Sequence, residues 1–278
     1  MPLPTFLICG AKKAGTTALA RYLAGHPNVV MSRPKETGFF GDNYSKGPEW
    51  LKTHFPHHDG EDAVGEGSVH TMYYPESPRR IQETIPDARL LFLLRNPIER
   101  LYSHYYYDLR CGHLDPSTSF QDVIYRGETP RHRRMIEMGF YDEQLARFGE
   151  HFEGQMLILL NRDLRDRTQE TVQQALSFLG VDPSHAQNHY EPKNETRHIQ
   201  YRRVYAAART CWKPLQSAVE SVLPEEGIER LRSTVRSLLS RDDRPPMPEK
   251  DRQYLRDLYE DTTQSVESRL GCDLSYWN

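Results

Sequence analysis

Short, wholly apolar runs alternate with helical patterns along the first 180 or so residues. Phe6-Leu7-Ile8-Cys9 stops at Gly10, and a run apolar on both faces and ended by glycine predicts a buried parallel strand. From Thr16 onward, Leu19, Tyr22 and Leu23 share one helical face, and Gly25-His26-Pro27-Asn28 closes the helix. Val29-Val30-Met31 predicts a second strand. Arg89-Leu90-Leu91-Phe92-Leu93-Leu94 is the clearest strand, and Pro97 stands where the first turn of the next helix begins, a helix carrying Leu101, Tyr102 and Tyr105. Met156-Leu157-Ile158-Leu159-Leu160 predicts another buried strand, and Val172 to Leu179 an amphipathic helix that Gly180 ends. Alternation of this kind predicts an α/β fold of three layers, with a central parallel sheet flanked by helices. Beyond Pro183 the apolar runs shorten and charges multiply. Residues 200–270 read as mostly helical, broken by Pro214, Pro224 and Arg244-Pro245-Pro246-Met247-Pro248. The organisation expected is one domain over 1–278, with an α/β core over 1–183 and a mostly helical C-terminal extension over 184–278.

The 278 residues, 37% hydrophobic and 27% charged with a formal net charge of −3, fit a water-soluble enzyme. A nucleic-acid partner would call for a strongly basic domain, so none is expected. A basic pocket on a neutral body is enough for a small anionic ligand. No apolar run is long enough to span a bilayer, so no membrane association is expected. Met1-Pro2-Leu3-Pro4-Thr5 lacks the charged and apolar regions of a signal peptide. Cys9, Cys111, Cys211 and Cys272 match neither a zinc frame nor a CxxC pair and read as reduced thiols, consistent with a cytoplasmic location. On that reading the Asn194-Glu195-Thr196 sequon is a chance match.

Two segments carry chemistry. Gly10-Ala11-Lys12-Lys13-Ala14-Gly15-Thr16-Thr17 follows a strand and opens a helix. Amides at such a turn face an anion, and the helix N-terminus adds a positive dipole end. The glycine spacing is that of a Walker A loop, so the turn is P-loop-like, but Thr16 stands where the Walker lysine belongs and the lysines lie inside the loop. A lysine there is suited to a first phosphate and its bridging oxygen. Arg95-Asn96-Pro97-Ile98-Glu99-Arg100-Leu101-Tyr102-Ser103 lies at the C-terminal end of the best strand, where open α/β sheets bind ligands. An arginine fork and a hydroxyl suit a phosphate monoester. Without a ligand, the first segment is an ordinary strand–helix turn and the second a strand-end arginine on a carboxylate.

Together these segments resemble the 5′-phosphosulfate loop and the R-x-P-x-x-R-x-x-S 3′-phosphate motif of sulfotransferases that use 3′-phosphoadenosine 5′-phosphosulfate (PAPS). The resemblance is greatest to the heparan sulfate glucosaminyl N- and 3-O-sulfotransferases and their bacterial relatives. Lys35-Glu36-Thr37-Gly38-Phe39-Phe40, Asn43-Tyr44-Ser45-Lys46-Gly47-Pro48-Glu49-Trp50, the stretch from Tyr73 to Ile81 and Phe178-Leu179-Gly180 are similar to further segments of that group, and the likeness thins beyond residue 180. The resemblance implies sulfuryl transfer from PAPS, with 3′-phosphoadenosine 5′-phosphate (PAP) as product, to a hydroxyl or amine of a carbohydrate or small molecule. It makes Lys13 the catalytic lysine at the leaving bridging oxygen and Glu36 the base that takes the acceptor's proton. Lys12, Lys13, Ala14, Gly15, Thr16 and Thr17 would hold the 5′ end of the nucleotide, and Arg95 and Ser103 the 3′-phosphate. Lys35, His70 and Tyr107 are the candidates on the acceptor side. No metal is expected, because the transferred group carries less negative charge than a γ-phosphoryl.

The chain also departs from that group. Gly38 stands where those enzymes have a histidine or glutamine, and their later K-G-R loop has no clean counterpart, with Lys193, Arg197, Arg202 and Arg203 as alternatives. The missing Golgi anchor favours a bacterial cytoplasmic enzyme acting on a smaller acceptor. His54, His57 and His58, and His185 with His189, cluster without a metal-ligand frame. For His70 and His104, packing or surface roles stand beside a role at the site. Tyr102, Tyr105, Tyr106 and Tyr107 cannot all face one cleft from one helix. The basic stretch from Arg126 to Arg134 is either a reception for an acidic acceptor or a solvated loop. Two other functions remain on the sequence: a P-loop kinase, and a non-catalytic nucleotide- or carbohydrate-binding relative.

Overall fold

The computed structural model describes residues 1–185, 198–199, 240–241 and 245–277. They group into two compact units, one of residues 1–100, 137–194 and 255–278, the other of residues 101–136 and 195–254.

The first unit is built on a five-stranded sheet whose pairings are all parallel. Its strands are β1 (Phe6–Gly10), β2 (Val29–Met31), β3 (Ala63–Glu66), β4 (Arg89–Leu94) and β5 (Met156–Leu160), in the order β2-β3-β1-β4-β5. Helices α1 (Thr16–Leu23), α2 (Gly47–Lys52), α3 (Ser77–Thr84), α4 (Pro97–Cys111), α5 (Pro130–Glu137), α6 (Tyr141–Gly149), α7 (Asn161–Asp166) and α8 (Thr168–Leu179) follow in chain order, and a long helix spans Glu249–Leu270. The unit boundary falls within α4, after Arg100. Every residue of β1 is buried, and side chains such as Phe6, Leu7 and Ile8 each contribute on the order of 1.5–3 kcal/mol by leaving water.

β3 escapes a reading of apolar runs because it contains Gly65 and Glu66. Its glycine has a packing cause: a Cβ at position 65 would lie 2.2 Å from Phe6 Cζ and 2.5 Å from Met31 Sδ. Two neighbouring strands therefore fill the space that a side chain would need. β5, expected to be buried, is instead an edge strand with most of its residues half-exposed. Helix α8 begins at Thr168, a turn earlier than its apolar pattern suggests.

Strand order places a switch point between β1 and β4. The chain leaves β1 towards β2 on one side, and leaves β4 towards β5 on the other. Open α/β sheets bind ligands beyond the carboxyl ends of the strands at such a point. The two segments singled out above, after Gly10 and after Leu94, both begin there. Asn96 caps α4: its Oδ1 accepts the Ile98 amide at 2.9 Å and the Glu99 amide at 3.3 Å, while its Nδ2 donates to the Trp277 carbonyl at 2.7 Å.

In the second unit, three of the four clustered tyrosines pack inward. Tyr102, Tyr105 and Tyr106 are buried, and Tyr102 and Tyr105 meet Phe120 edge-on or tilted at 4.9 and 5.3 Å between ring centroids. The basic stretch is mostly helix α5 rather than loop, and Arg131 donates to the buried Asp108 carboxylate at 2.9 Å. The expected helices of residues 200–239 lie outside the described residues, whereas the helix Glu249–Leu270 is present.

Candidate active site

The loop between β1 and α1 adopts an anion-receiving shape. Lys13 (φ 71) and Gly15 (φ 104) both take left-handed backbone conformations, the first against the usual preference of a side-chain-bearing residue. Helix α1 starts without an acidic residue in its first turn and without a side-chain cap. Among the described residues, the amides of Gly15, Thr16 and Thr17 have no hydrogen-bond acceptor. Orphan amides at a helix start, with lysines beside them and no competing carboxylate in the turn, are a receptor for a phosphate-sized anion.

Two residues that the motif reading missed support this loop, Asn161 directly and Tyr141 through Arg95. Asn161, the first residue of α7, donates from Nδ2 to the Ala14 carbonyl at 2.6 Å. A Cβ on Gly15 would approach the same Nδ2 to 3.1 Å, so residue 15 must also be small. Arg95 donates from a guanidinium nitrogen to the Lys13 carbonyl at 3.3 Å, joining the arginine beyond β4 to the loop beyond β1. The Arg95 carbonyl in turn accepts the Tyr141 hydroxyl at 2.8 Å. Burial pushes the Tyr141 phenol up to about 12, against the lowering influence of Arg100, the hydrogen bond and Arg95. Asn161 directly follows an apolar strand end, which is a usable sequence signal; Tyr141 had none.

Lys35 and Glu36 lie on the segment after β2. The Lys35 ammonium donates to Thr16 Oγ1 at 3.3 Å and to Glu36 Oε1 at 3.2 Å, thereby linking the start of α1 to the candidate base. Its aliphatic stem runs over Gly67, where a Cβ would come within 2.7 Å of Lys35 Cε. The backbone on either side of Glu36 is fixed. The Lys35 carbonyl accepts the Gly67 amide at 3.0 Å and the Ser32 hydroxyl at 2.9 Å. Thr37 donates from its amide (2.8 Å) and hydroxyl (2.9 Å) to Glu66 Oε1. The Glu36 side chain remains 43% exposed, open to a reactant from solvent.

The structure thus brings Lys13 to Arg95 and Thr16 to Lys35 and Glu36. His70 sits on the turn after β3, its ring 6.4 Å from that of Tyr74. Ser103 and Tyr107 belong to the second unit; Ser103 is buried on α4, and Tyr107 is half-exposed with Arg110 over its ring at 5.6 Å. Among the described residues, no group of three or more His, Cys, Asp or Glu is placed to hold a metal ion, and none of the helices is long and apolar enough to cross a membrane. Lys193, Arg197, Arg202 and Arg203 lie outside the described residues.

The sequence matches the sulfotransferase domain family over residues 3–267. The chain belongs to the sulfotransferase family. Sulfuryl transfer is the chemistry of that family. The chain is 32% identical over 199 residues to the bifunctional heparan sulfate N-deacetylase/N-sulfotransferase 4 of Mus musculus, covering 65% of this chain and 23% of that protein. It is also 32% identical over 188 residues to the bifunctional heparan sulfate N-deacetylase/N-sulfotransferase 1 of Caenorhabditis elegans, covering 63% of this chain and 22% of that protein. The chain therefore spans less than a quarter of the length of these relatives. A sulfotransferase from Alicyclobacillus acidocaldarius has the same fold, with a TM-score of 0.70 at 22% identity over 100% of this chain and 99% of that one.

Proposed function

We propose that this sulfotransferase takes its sulfuryl group from PAPS and passes it to a hydroxyl or amine of a carbohydrate or small-molecule acceptor, releasing PAP. The observation that carries this reading is the coupling of the β1 loop to Arg95 through the Lys13 carbonyl at the switch point of the sheet. It unites an anion-ready turn with a guanidinium, the pairing that a nucleotide phosphorylated at both its 5′ and 3′ ends requires. The residues present fit such a group: three acceptorless amides at the start of α1 and the cations Lys12, Lys13, Lys35 and Arg95.

On this reading Lys12, Lys13, Ala14, Gly15, Thr16 and Thr17 bind the 5′ phosphosulfate. Arg95 takes the 3′-phosphate, joined on the motif alone by Ser103. Lys13 neutralises charge that develops on the bridging oxygen as the bond to sulfur breaks. Glu36 removes the proton from the attacking oxygen or nitrogen, a contribution on the order of 10²–10⁴-fold in rate. Its carboxylate is paired with the Lys35 ammonium at 3.2 Å, so the ammonium is shared between Glu36 and the donor's anionic groups when these bind. Lys35, His70 and Tyr107 are the residues proposed on the acceptor side.

Sulfur-labelled PAPS offered with an acceptor panel (a desulfated glucosamine oligosaccharide, free glucosamine and p-nitrophenol) tests the reading. Transfer to an amine or hydroxyl is expected, with Glu36→Gln reducing turnover far more than donor affinity. A Glu36→Gln enzyme with undiminished turnover would remove Glu36 from the role of base.

A further inference from the structure

Glu66 ends β3 and is 1% exposed. Its carboxylate takes four hydrogen bonds, all from donors: the Thr37 amide at 2.8 Å, the Thr37 hydroxyl at 2.9 Å, the Ser68 amide at 3.1 Å and the Ser68 hydroxyl. The Thr37 hydroxyl oxygen accepts the Phe39 amide at 3.1 Å, and the Ser68 hydroxyl oxygen accepts the Gly38 amide at 2.8 Å. The Thr37 carbonyl also accepts Asn43 Nδ2 at 2.7 Å. Residues 37–39, next to the proposed base, therefore hang on one ionised carboxylate. Among the described residues no cation pairs with Glu66.

A buried carboxylate with only donors around it satisfies its charge by hydrogen bonding alone. These four bonds fix the backbone next to Glu36.

We propose that Glu66 is a positioning residue for sulfuryl transfer: as a clamp on Thr37 and Ser68 it holds the segment that aims Glu36. The proposal rests on Glu36 acting as the base. The titratable groups around the clamp are few. Cys9 on the adjacent strand β1 faces it, its thiol pushed up by burial and then by the Glu66 charge. On the β2 side, Lys35 crosses Gly67 with its ammonium committed to Thr16 and Glu36. Burial raises the Glu66 carboxyl above its ordinary range, opposed only in part by the Ser68 and Thr37 hydrogen bonds.

Glu66→Gln is the test, because the amide keeps the shape but turns a donor towards donors. Three readouts are made on the same protein: calorimetry with PAP, amide hydrogen exchange of a peptide covering residues 33–41, and PAPS turnover with whichever acceptor of the panel is used, or with water. The clamp predicts exchange of the Thr37 and Gly38 amides faster by about tenfold or more, turnover lower by about tenfold or more, and PAP affinity changed by less than about threefold. Unchanged exchange and unchanged turnover would overturn it, as would a loss of turnover explained wholly by weaker PAP binding. If Glu66→Gln does not fold, Thr37→Val and Ser68→Ala each remove part of the clamp and carry the same expectations at a smaller scale; wild-type turnover in both would also overturn it. A wild-type protein that fails to bind PAP refutes the donor assignment, while the exchange data still decide the clamp.

Discussion

Tyr141→Phe removes one hydroxyl and leaves the ring, and the structure sets how much that should matter. The hydroxyl donates to the Arg95 carbonyl at 2.8 Å from a side chain with no exposed surface. Leaving that carbonyl without its donor is expected to cost about 1–3 kcal/mol at neutral pH. The substitution should also change the alkaline behaviour. Burial raises the phenol from 10.0 to about 12, so between those values the unfolded chain loses its proton while the folded chain keeps it. The unfolded state then binds fewer protons, and stability falls as pH rises from 10.0 towards about 12. Two units of pKa correspond to about 2.7 kcal/mol. Urea unfolding of wild type and variant at neutral pH and at intervals up to about pH 11.5 measures both effects, the difference between the proteins cancelling the other tyrosines and lysines. The wild type should start more stable and lose its advantage with rising pH, the gap narrowing or reversing. Since the Arg95 backbone is no longer held, PAP affinity should also weaken several-fold. Parallel curves, with the gap constant from neutral to alkaline pH, would refute the burial and bonding assigned to this phenol.

Other expectations follow from single contacts. Asn161→Ala deletes the 2.6 Å bond to the Ala14 carbonyl; calorimetry should show PAP bound about three- to tenfold more weakly, at a stability cost of about 1 kcal/mol. Gly65→Ala forces a methyl to within 2.2 Å of the Phe6 ring and should destabilise by about 1–3 kcal/mol or more in chemical denaturation, without a direct effect on the site. Gly67→Ala meets the Lys35 side chain, at 2.7 Å from Cε and 3.3 Å from Cγ. It should fold, displace the ammonium from Thr16 and Glu36, and lower turnover to the same extent as a Lys35→Met substitution measured beside it.

The strands that could be read from the sequence were those whose burial is written in apolar side chains. Phe6 to Cys9 and Arg89 to Leu94 are interior strands, and their neighbours demand apolar groups on both faces. β3 is as deeply buried, but its burial is expressed through a glycine that yields space to Phe6 and a glutamate satisfied by Thr37 and Ser68, which hydrophobicity cannot register. For β5 the opposite holds: an apolar run marks a strand but not its place at the edge. In the candidate site, Lys13, Thr16 and Arg95 could be singled out because strand–helix turns and strand-end motifs of this kind have strict local spacing. The supports of that turn were not, since Asn161 and Tyr141 reach Ala14 and Arg95 across 147 and 46 residues of chain. The clamp at Glu66 was missed for the same reason: its partner Thr37 lies 29 residues away, and nothing local marks the pair.

The account depends above all on one nucleotide with two charged ends being received by the turn beyond β1 and the arginine beyond β4. Titration calorimetry with PAP measures this directly. The account predicts a single binding event that falls by about tenfold or more in Lys13→Ala and again in Arg95→Ala, about 1.4 kcal/mol or more each. Absence of heat with PAP, or binding of Mg-ATP in preference to it, would contradict the account.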